Sequence, residues 1–200
     1  MLVIQCSNGP GKAISRAVEV LTQGGVIVYP TDTVYGMGCD LLNKRAIERI
    51  YQLKKLHRRK PLSFICEDLK QISEYAQLSN PAYKMMKRLL PGPFTFILNA
   101  KNEVPKIVMT KQRTVGIRVP DNDICLGIVR ELGRPLVNTS ASGSEDEVVS
   151  DPDQIEEQYH QADLMLADGL LESDPSTVVD FTGDVPVVVR QGRGDLSGYL

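Results

Sequence analysis

One segment near the start of the chain joins a buried strand to a cluster of polar groups: Val26-Ile27-Val28-Tyr29-Pro30-Thr31-Asp32-Thr33-Val34-Tyr35-Gly36-Met37-Gly38. Its first four residues are apolar and largely β-branched, and a proline follows them, which predicts a compact buried strand that ends there. Two threonines, an aspartate and a tyrosine come next, and two glycines would let backbone amides approach a ligand closely. The segment therefore predicts either a loop that binds the polar head of a small molecule or a Thr/Gly turn capped by Asp32.

On both sides of this segment the apolar residues alternate between helical and strand-like spacing. Helices are predicted over residues 12–23, 43–53, 80–90, 121–132 and 151–160, with Asn43 and Asn80 as N-caps. Strands are predicted over residues 26–29, 62–66, 94–98, 115–119, 136–137, 164–167, 177–180 and 185–189. This irregular alternation predicts an α/β (α+β) fold with a twisted mixed β-sheet flanked by helices, in a single domain over residues 1–200, with ligands bound beyond the strand ends.

The composition is that of a globular protein, because 42% of the 200 residues are hydrophobic and 24% are charged. No apolar run reaches the roughly 20 residues of a membrane helix, and residues 1–6 read as a short strand rather than as a signal peptide. The four cysteines form no C-x-x-C pair, and the chain has two histidines. We therefore expect no metal site, no membrane partner, reduced thiols and a cytoplasmic location.

The net charge of −2 conceals a strong asymmetry along the chain. Residues 1–134 contain 21 of the 23 Lys and Arg residues and 11 of the 25 Asp and Glu residues, a net charge of +10. Residues 135–200 contain the other 2 basic residues and the other 14 acidic residues, a net charge of −12. The basic part is where a phosphate-bearing partner is expected, unless the two parts only attract each other in the fold.

The densest basic run is Lys54-Lys55-Leu56-His57-Arg58-Arg59-Lys60-Pro61, at the predicted end of a helix. Cations at a helix C-terminus complement its dipole, but five Lys and Arg residues in seven positions exceed what a cap needs. In all, 8 of the 23 basic residues lie between positions 44 and 60. This density is typical of a site for a triphosphate or a nucleic-acid backbone, and a solvated face is the alternative.

Arg118 lies in the predicted strand Gly116-Ile117-Arg118-Val119-Pro120, and an arginine within an apolar strand normally needs an anionic partner. The sequence offers Asp32, Asp180 or the carboxylate of a ligand for that role. A structural ion pair and a ligand site are equally open at this point.

Two further polar clusters follow predicted strands. The loop Asn138-Thr139-Ser140-Ala141-Ser142-Gly143-Ser144 carries hydroxyls that can donate to phosphate or carboxylate oxygens, or that form a plain turn. The other cluster is Ser176-Thr177-Val178-Val179-Asp180, with Arg190 after the next strand. The chain has no Walker A motif, no G-x-S-x-G and no H-E-x-x-H. The pattern favours positioning and charge stabilisation of a nucleotide, with Mg²⁺ bound together with that nucleotide and no tightly bound cofactor.

Five motifs occur along the chain in a specific order. They are the strand with Pro30-Thr31-Asp32-Thr33-Val34-Tyr35-Gly36, the basic segment from Lys54 to Lys60-Pro61, Pro91-Gly92-Pro93-Phe94-Thr95, Ile117-Arg118-Val119-Pro120, and Ser176-Thr177-Val178-Val179-Asp180 with Val189-Arg190. Together they resemble the YrdC/YciO family from about residue 13 to residue 192. The resemblance implies a three-layer α/β sandwich with a positively charged cavity. It also implies the activity of threonylcarbamoyl-AMP synthases, which join L-threonine, bicarbonate and ATP, release pyrophosphate and feed the threonylcarbamoyl-adenosine modification of tRNA.

The same resemblance implies roles for individual residues. The threonine-type substrate would be held by Thr31, Thr33, Arg118, Ser176 and Thr177. The nucleotide and its phosphates would be held by Lys54, Arg58, Lys60, Ser140, Ser142 and Arg190. The resemblance assigns no catalytic residue and no metal ligand.

Two positions depart from the pattern that is typical of the synthases. Their K-x-R reads Lys54-Lys55-Leu56 here, and their S-x-N reads Ser140-Ala141-Ser142. Loss of a fixed guanidinium beside a developing pyrophosphate costs about 3–4 kcal/mol of transition-state stabilisation, if it equals the effect of one oxyanion donor. These departures, with the ending Arg190-Gln191-Gly192-Arg193-Gly194-Asp195, make the chain resemble the YciO branch of the family.

Two functions are therefore expected. The first is an ATP-handling protein that resembles L-threonylcarbamoyladenylate synthase, acting as a nucleotidyltransferase or as a hydrolase of the same adenylate, with L-threonine and bicarbonate as further ligands. The alternative is a non-catalytic protein that binds double-stranded RNA or tRNA on a basic concave face centred on residues 44–60.

Overall fold

The computed structural model describes residues 1–57, 60–142, 149–172 and 174–199. This part of the chain forms one ten-stranded sheet and six α-helices, with a 3-10 turn at Cys6–Asn8. The strands are β1 (Leu2–Gln5), β2 (Ile27–Tyr29), β3 (Gly36–Asp40), β4 (Ser63–Ile65), β5 (Phe94–Asn99), β6 (Thr114–Arg118), β7 (Leu136–Ser140), β8 (Leu164–Ala167), β9 (Thr177–Asp180) and β10 (Val187–Arg190). The helices are α1 (Pro10–Thr22), α2 (Lys44–Leu53), α3 (Leu69–Tyr75), α4 (Asn80–Leu89), α5 (Asp123–Leu132) and α6 (Pro152–Gln158).

The strands lie in the order β1-β8-β2-β3-β7-β4-β6-β5-β9-β10. Four neighbouring pairs are parallel: β1 with β8, β8 with β2, β4 with β6, and β5 with β9. The other neighbours in this order are antiparallel. The predicted α/β fold, a twisted mixed sheet flanked by helices, is confirmed.

Side chains alternate between the two faces of the sheet. On the first face, Val28, Phe64 and Val137 lie in a core with apolar residues of α2, α3, α4 and α6. On the second face, Tyr29 and Ile65 lie in a core with apolar residues of α1 and α5. The sheet is therefore the middle layer between two layers of helices.

Part of the second face is left uncovered by α1 and α5. The burial of the side chains alternates strictly along β5. Those on the first face are buried, whereas Thr95 and Ile97 on the second face are half-buried. Ser63 and Gly116 are also half-buried, and a Cβ on Gly116 would lie 3.3 Å from both Ser63 Cβ and Thr95 Cγ2. On the far side of β5, Val178 lies opposite Thr95. We call the surface formed by Ser63, Gly116, Thr95, Ile97 and Val178 the open face.

Short polar side chains set where two of the helices begin. Asn43 caps α2 as predicted, because its side-chain oxygen accepts a hydrogen bond from the amide of Ala46. Helix α4 differs from the prediction. Its N-cap is Ser79 rather than Asn80, since the Ser79 hydroxyl accepts from the amide of Ala82.

The glycine-containing segment after the first buried strand is itself a strand, β3, rather than part of a ligand-binding loop. It pairs with β2 and β7 and is buried along its whole length. A Cβ on Gly36 would lie 2.9 Å from the Tyr29 ring, and one on Gly38 would lie 2.3 Å from the carbonyl oxygen of Val137. The two glycines therefore make room for the Tyr29 ring and for the neighbouring strand.

The serine-rich segment also starts as a strand, since its first three residues belong to β7. Asn138 is buried, accepts a hydrogen bond from the Tyr29 hydroxyl at 2.7 Å and donates to the Ser63 hydroxyl at 3.1 Å. Asn138 therefore links the covered part of the second face to the open face. The last two residues of the predicted loop, 143 and 144, lie outside the described residues.

The four cysteines are buried, and none forms a disulfide. Burial raises the pKa of the Cys6 thiol to about 11, and burial likewise raises the pKa of the other three thiols. None of the four is therefore a reactive thiolate at neutral pH.

None of the described helices combines the length and the apolarity needed to cross a membrane. The single domain over residues 1–200 and the cytoplasmic location stay predictions.

Candidate functional site

Arg118 is the last residue of β6 and lies on the same side of that strand as Gly116, at the border of the open face. Its side chain is 7% exposed. Its Nη2 donates to Asp32 Oδ1 at 2.8 Å and to Thr33 Oγ1 at 2.9 Å. Among the partners considered from the sequence, the structure pairs Arg118 with Asp32. The polar loop after β2 thus lies against the end of β6.

The polar loop is held in shape by its own hydroxyls. The Thr31 hydroxyl donates to the carbonyl of Val34 at 2.7 Å and accepts from the amide of Thr33 at 3.1 Å. Both threonines are buried, and their hydroxyl oxygens are 3.1 Å apart. The hydroxyl of Thr31 therefore stabilises the loop, whereas that of Thr33 contacts Arg118.

One donor in this cluster has no acceptor. Among the described residues, nothing accepts the hydrogen of Arg118 Nε, although this atom is buried. Asp32 does not take it, and its second oxygen, Oδ2, accepts from the amide of Asp121 at 3.0 Å. A buried unpaired donor on a charged group is costly. The Nε–H is therefore a candidate for an oxygen atom of a ligand.

Ser176 and Arg190 form a second cluster that also borders the open face. Ser176 is 4% exposed, and its hydroxyl oxygen lies 2.8 Å from Thr95 Oγ1. Arg190 Nη2 donates to the carbonyl of Ser176 at 2.8 Å. Because Thr95 belongs to the open face, this predicted pair lies on the same surface that Arg118 borders.

Thr177, which was also predicted as a site residue, faces away from this surface. It is fully buried, its hydroxyl donates to the carbonyl of Gly194 at 2.8 Å, and it accepts from the amide of Gly192 at 2.9 Å. A Cβ on Gly192 would lie 2.2 Å from the Pro175 carbonyl oxygen, and one on Gly194 would lie 2.3 Å from the Phe94 ring. Thr177 therefore anchors the closely packed C-terminal tail to β9.

Lys54 follows α2 and is turned into the protein. Its Nζ donates to the carbonyl of Ser142 and, at 2.9 Å, to the hydroxyl of Tyr159. The ammonium also lies 5.0 Å from the centre of the Tyr159 ring. The Tyr159 hydroxyl in turn donates to the same Ser142 carbonyl at 2.9 Å. Lys54 and Ser142, both expected to hold phosphates, thus join the basic segment to the end of β7.

Burial shifts the pKa values of both groups in this cluster. It lowers the pKa of Lys54 from 10.5 to about 8, and the positive charge of Lys60 acts in the same direction. Burial raises the pKa of the Tyr159 hydroxyl to about 12. At pH 7 both groups therefore carry the protons that their hydrogen bonds need.

Leu56, where the resemblance leads us to expect an arginine, takes part in the end of α2. The amide of Leu56 donates to the carbonyl of Tyr51 at 2.9 Å, and the amide of Lys55 donates to that of Gln52 at 3.1 Å. These are the two bonds of a Schellman motif. The Leu56 side chain is half-buried and packs against the core of the first face. Leu56 therefore makes a hydrophobic contact at the helix end, where the resemblance leads us to expect a guanidinium.

The other residues expected to bind phosphates are more dispersed. Ser140 is exposed at the end of β7, opposite Gly36 of β3. Lys60 is exposed, and its amide donates to the carbonyl of His57 at 2.8 Å. Arg58 lies outside the described residues.

The basic residues of α2 and the open face lie on opposite sides of the sheet. Helix α2 packs on the first face, and Lys44 and Arg45 are exposed on it. Arg49, on the same helix, is paired with Asp163 at 2.5 Å. The basic residues of α2 therefore form a surface that is separate from the open face, and the expected basic concave face centred on residues 44–60 stays a prediction.

Sequence reasoning missed several partners in these clusters. Nothing in the sequence pairs Lys54 with Tyr159, 105 positions away, or Asn138 with Tyr29. Thr95 carried a signal, because it closes the Pro-Gly-Pro-Phe-Thr motif. In the part of the chain that the structure describes, no group of three or more His, Cys, Asp or Glu side chains is placed to hold a metal ion.

Comparisons with known proteins show which family this chain belongs to. The model of the Sua5/YciO/YrdC family, described as telomere recombination, matches residues 19–192. The YciO protein of Escherichia coli K12 is 41% identical over 201 residues, which cover 98% of this chain and 97% of that protein. A threonylcarbamoyl-AMP synthase of Hydrogenovibrio crunogenus is 34% identical over 147 residues, which cover 72% of this chain and 79% of that protein.

Solved structures show the same fold. The crystal structure of E. coli YciO has a TM-score of 0.91 and 39% identity, and the match covers 100% of this chain and 98% of that chain. The crystal structure of P. abyssi Sua5 complexed with L-threonine has a TM-score of 0.88 and 26% identity, and the match covers 96% of this chain and 58% of that chain. The resemblance read from the motifs is confirmed: the chain belongs to the Sua5/YciO/YrdC family.

Proposed function

We propose that this protein binds L-threonine by its carboxylate at Arg118, binds ATP along the open face, and joins the two with bicarbonate into threonylcarbamoyl-AMP. It is then a nucleotidyltransferase whose product feeds the threonylcarbamoyl-adenosine modification of tRNA. Hydrolysis of the same adenylate is the other reaction that this site would support. Three comparisons motivate the proposal: the family match, the similarity to the synthase from H. crunogenus and the similarity to P. abyssi Sua5, whose structure was solved with L-threonine.

The observation that carries the proposal is the unpaired Nε–H of Arg118. A guanidinium normally satisfies its donors with planar, bidentate acceptors such as carboxylates. The α-carboxylate of an amino acid is the part of threonine that fits such a donor. Because Arg118 lies beside the open face, the amino-acid ligand would adjoin a nucleotide bound there.

The nucleotide half of the site rests on the second cluster. Ser176 and Arg190 adjoin the open face through Thr95, and Ser140 and Lys60 are exposed near the strands that border it. Mg²⁺ is usually held through the phosphates of its nucleotide, so we expect it to arrive as MgATP.

The half-buried Leu56 has a consequence for the rate of such a reaction. Without a guanidinium at this position, we expect synthesis to be about 100- to 1,000-fold slower than in a synthase that carries the arginine, the usual effect of one oxyanion donor. The proposal therefore predicts measurable but slow release of pyrophosphate.

Calorimetric titration of MgATP, with and without L-threonine and bicarbonate, tests binding, and mass spectrometry of the mixture tests for the adenylate. We expect ATP to bind more tightly when threonine is present, and pyrophosphate and threonylcarbamoyl-AMP to accumulate. Consumption of added threonylcarbamoyl-AMP without synthesis would assign the protein to the hydrolase direction. Absence of binding in every combination would refute the proposal.

Two arginine variants make the test specific to the site. Arg118→Lys keeps the charge but loses the planar fork, and we expect it to weaken threonine binding about 10- to 100-fold, the loss of one charged hydrogen bond. Arg134→Lys alters another arginine that pairs with an aspartate, Asp40, away from the open face. Threonine should bind this control as tightly as it binds the wild type.

A second candidate function, RNA binding without catalysis, is favoured by the exposed cations of α2. Lys44 and Arg45 are exposed on α2, and Lys55 is exposed just after the helix. Contacts to phosphates make affinity fall steeply with salt. If this function holds, double-stranded RNA or tRNA binds at low salt, and the double variant Lys44→Gln/Arg45→Gln weakens it while Arg118→Lys does not. No binding at low ionic strength would exclude it.

A further inference from the structure

We propose that the backbone amide of Asp121 and the carboxylate of Asp32 act together as a positioning device. The amide draws one oxygen of Asp32 away from Arg118 and thereby leaves the buried Nε–H of Arg118 without an acceptor in the protein, so that it can donate to the carboxylate of a ligand. This inference rests on the proposed function for its choice of ligand and adds the residues that set which edge of Arg118 the ligand meets.

A second ion pair in the same chain, between Arg134 and Asp40, shows how an arginine and an aspartate pair when both oxygens of the carboxylate face the guanidinium. Arg134 donates from Nε to Asp40 Oδ1 at 2.8 Å and from Nη2 to Asp40 Oδ2 at 2.5 Å. Both oxygens and both nitrogens of that edge are used, which is the bidentate geometry that guanidinium and carboxylate favour. The Nε–H of Arg134 therefore has an acceptor, in contrast to that of Arg118.

The pair between Arg118 and Asp32 differs in two respects. Nη2 of Arg118 contacts the carboxylate at Oδ1, whereas Nε does not contact it. The second hydrogen of Nη2 is donated to the Thr33 hydroxyl. The Asp32 Oδ2 oxygen accepts instead from the amide of Asp121 at 3.0 Å. The pair is therefore monodentate, and Nε is left without an acceptor among the described residues.

This arrangement is unfavourable for stability alone. The Arg118 and Asp32 side chains are 7% and 8% exposed, so both charges have lost most of their hydration. A bidentate pair would satisfy Nε with the same two residues. The amide that prevents it belongs to an exposed residue directly after Pro120, so the loop after β6 determines which donor of the guanidinium is left unpaired.

The test is an NMR titration of the protein labelled with ¹⁵N-arginine. Acetate is the first probe, as the simplest carboxylate, and L-threonine is the second. We expect the Nε–Hε signal of Arg118, assigned with the Arg118→Lys variant, to move when either probe is added. The Nε–Hε signal of Arg134, already bonded to Asp40, should stay in place and serves as the internal reference.

Two variants at position 121 separate the amide from the side chain. Asp121→Pro removes the N–H, and we expect Asp32 to take up the Nε–H, with at least a tenfold loss of affinity for L-threonine and acetate. Asp121→Ala keeps the N–H and should bind both probes as the wild type does. The thermal midpoints of the two variants identify any loss of affinity that is due to unfolding.

The outcomes distinguish this inference from the proposed function. If the wild type binds threonine but the Arg118 Nε–Hε signal is unmoved, or if the folded proline and alanine variants bind equally, the positioning role is refuted and the proposed function stands. If acetate moves the signal but threonine and ATP do not bind, the open edge is supported and the proposed function fails. If neither probe moves the signal, the inference is refuted whatever the variants do.

Discussion

At the scale of single residues, the end of α2 contains a backbone conformation that is costly for the residue that adopts it. Lys55 has a φ of 51°, in the left-handed region, where a Cβ lies too close to the following carbonyl. The Schellman motif requires this conformation so that Leu56 can pack against the core. The lysine is thus tolerated because the turn directs its neighbour inward.

We expect Lys55→Gly to raise the free energy of unfolding by about 0.5–1 kcal/mol, because glycine adopts the left-handed region without this clash and loses only part of the gain as extra chain entropy. Urea denaturation monitored by circular dichroism measures the change. Lys55→Ala is the matched control, since it removes the same charge and keeps the Cβ. An equal gain in the alanine variant would show that charge repulsion, not backbone conformation, is responsible.

Lys54 should impose a dependence of stability on pH. Its pKa is about 8 in the folded protein because burial disfavours the charged form, and its ordinary value is 10.5. Between these two values the unfolded chain binds more protons, so the lysine makes folding more favourable as the pH rises from 8 to 10.5. Below pH 7 its contribution should be constant.

The comparison of wild type with Lys54→Met isolates this contribution from the titration of the tyrosines and cysteines that both proteins share. We expect the free energy of unfolding of the wild type, relative to the variant, to increase between pH 7 and pH 9.5. Urea denaturation at both pH values gives the difference. A relative stability that falls over this interval would contradict the lowered pKa of Lys54.

At the scale of elements, the packing of β3 against its neighbours requires glycine at position 38. A Cβ on Gly38 would lie 2.3 Å from the Val137 carbonyl oxygen, an atom of the neighbouring backbone that cannot rotate away. We expect Gly38→Ala to destabilise the protein by about 3 kcal/mol, the upper range for overpacking. Gly11→Ala is the control, because nothing lies within 4 Å of the added atom. Thermal unfolding of both variants checks this, and equal midpoints would disprove the role of Gly38.

The elements that sequence reasoning found are those whose signals are local. Helix α2 was predicted from its apolar spacing and from Asn43, which caps it as expected. Strand β3 was missed because Gly36–Asp40 has no β-branched residue, and its strand state comes from pairing with β2 and β7. Helix α3 was missed because only seven residues form it, with one of them buried.

At the scale of the whole molecule, the basic and acidic parts of the sequence are interleaved in the sheet. Strand β8 lies between β1 and β2, β7 lies between β3 and β4, and β9 lies beside β5. Three of the four described strands from the part with a net charge of −12 therefore lie beside strands from the part with a net charge of +10. This arrangement supports the interpretation that the two parts attract each other on folding.

That attraction should be sensitive to salt. We expect the thermal midpoint to fall by a few degrees when NaCl is raised from about 0.05 M to 0.5 M, because the screening length shortens to a few ångströms. Scanning calorimetry at several salt concentrations measures it. A midpoint that rises steadily over this range would show that repulsion within each part outweighs the attraction between them.

The sequence indicated candidate residues for the site, but it did not indicate most of the contacts that these residues make. Asp32 was one of three partners considered for Arg118, and the structure selects it. The amide of Asp121 carries no side-chain signal, so no pattern could have indicated its contact with Asp32. Lys54 was expected to face a phosphate, and its burial depends on Tyr159, which only the fold brings near.

Because all four native thiols are buried, they should react little with thiol reagents that are used for site-directed labelling. A maleimide reacts with thiolates that are accessible, and burial disfavours that form at each of the four positions. A cysteine introduced at an exposed position such as Ser140 should therefore take a fluorophore selectively, without prior removal of the native cysteines. Paired with a second dye on α2, such a probe would report distances between the end of β7 and the opposite layer of helices in a chain whose core is unaltered.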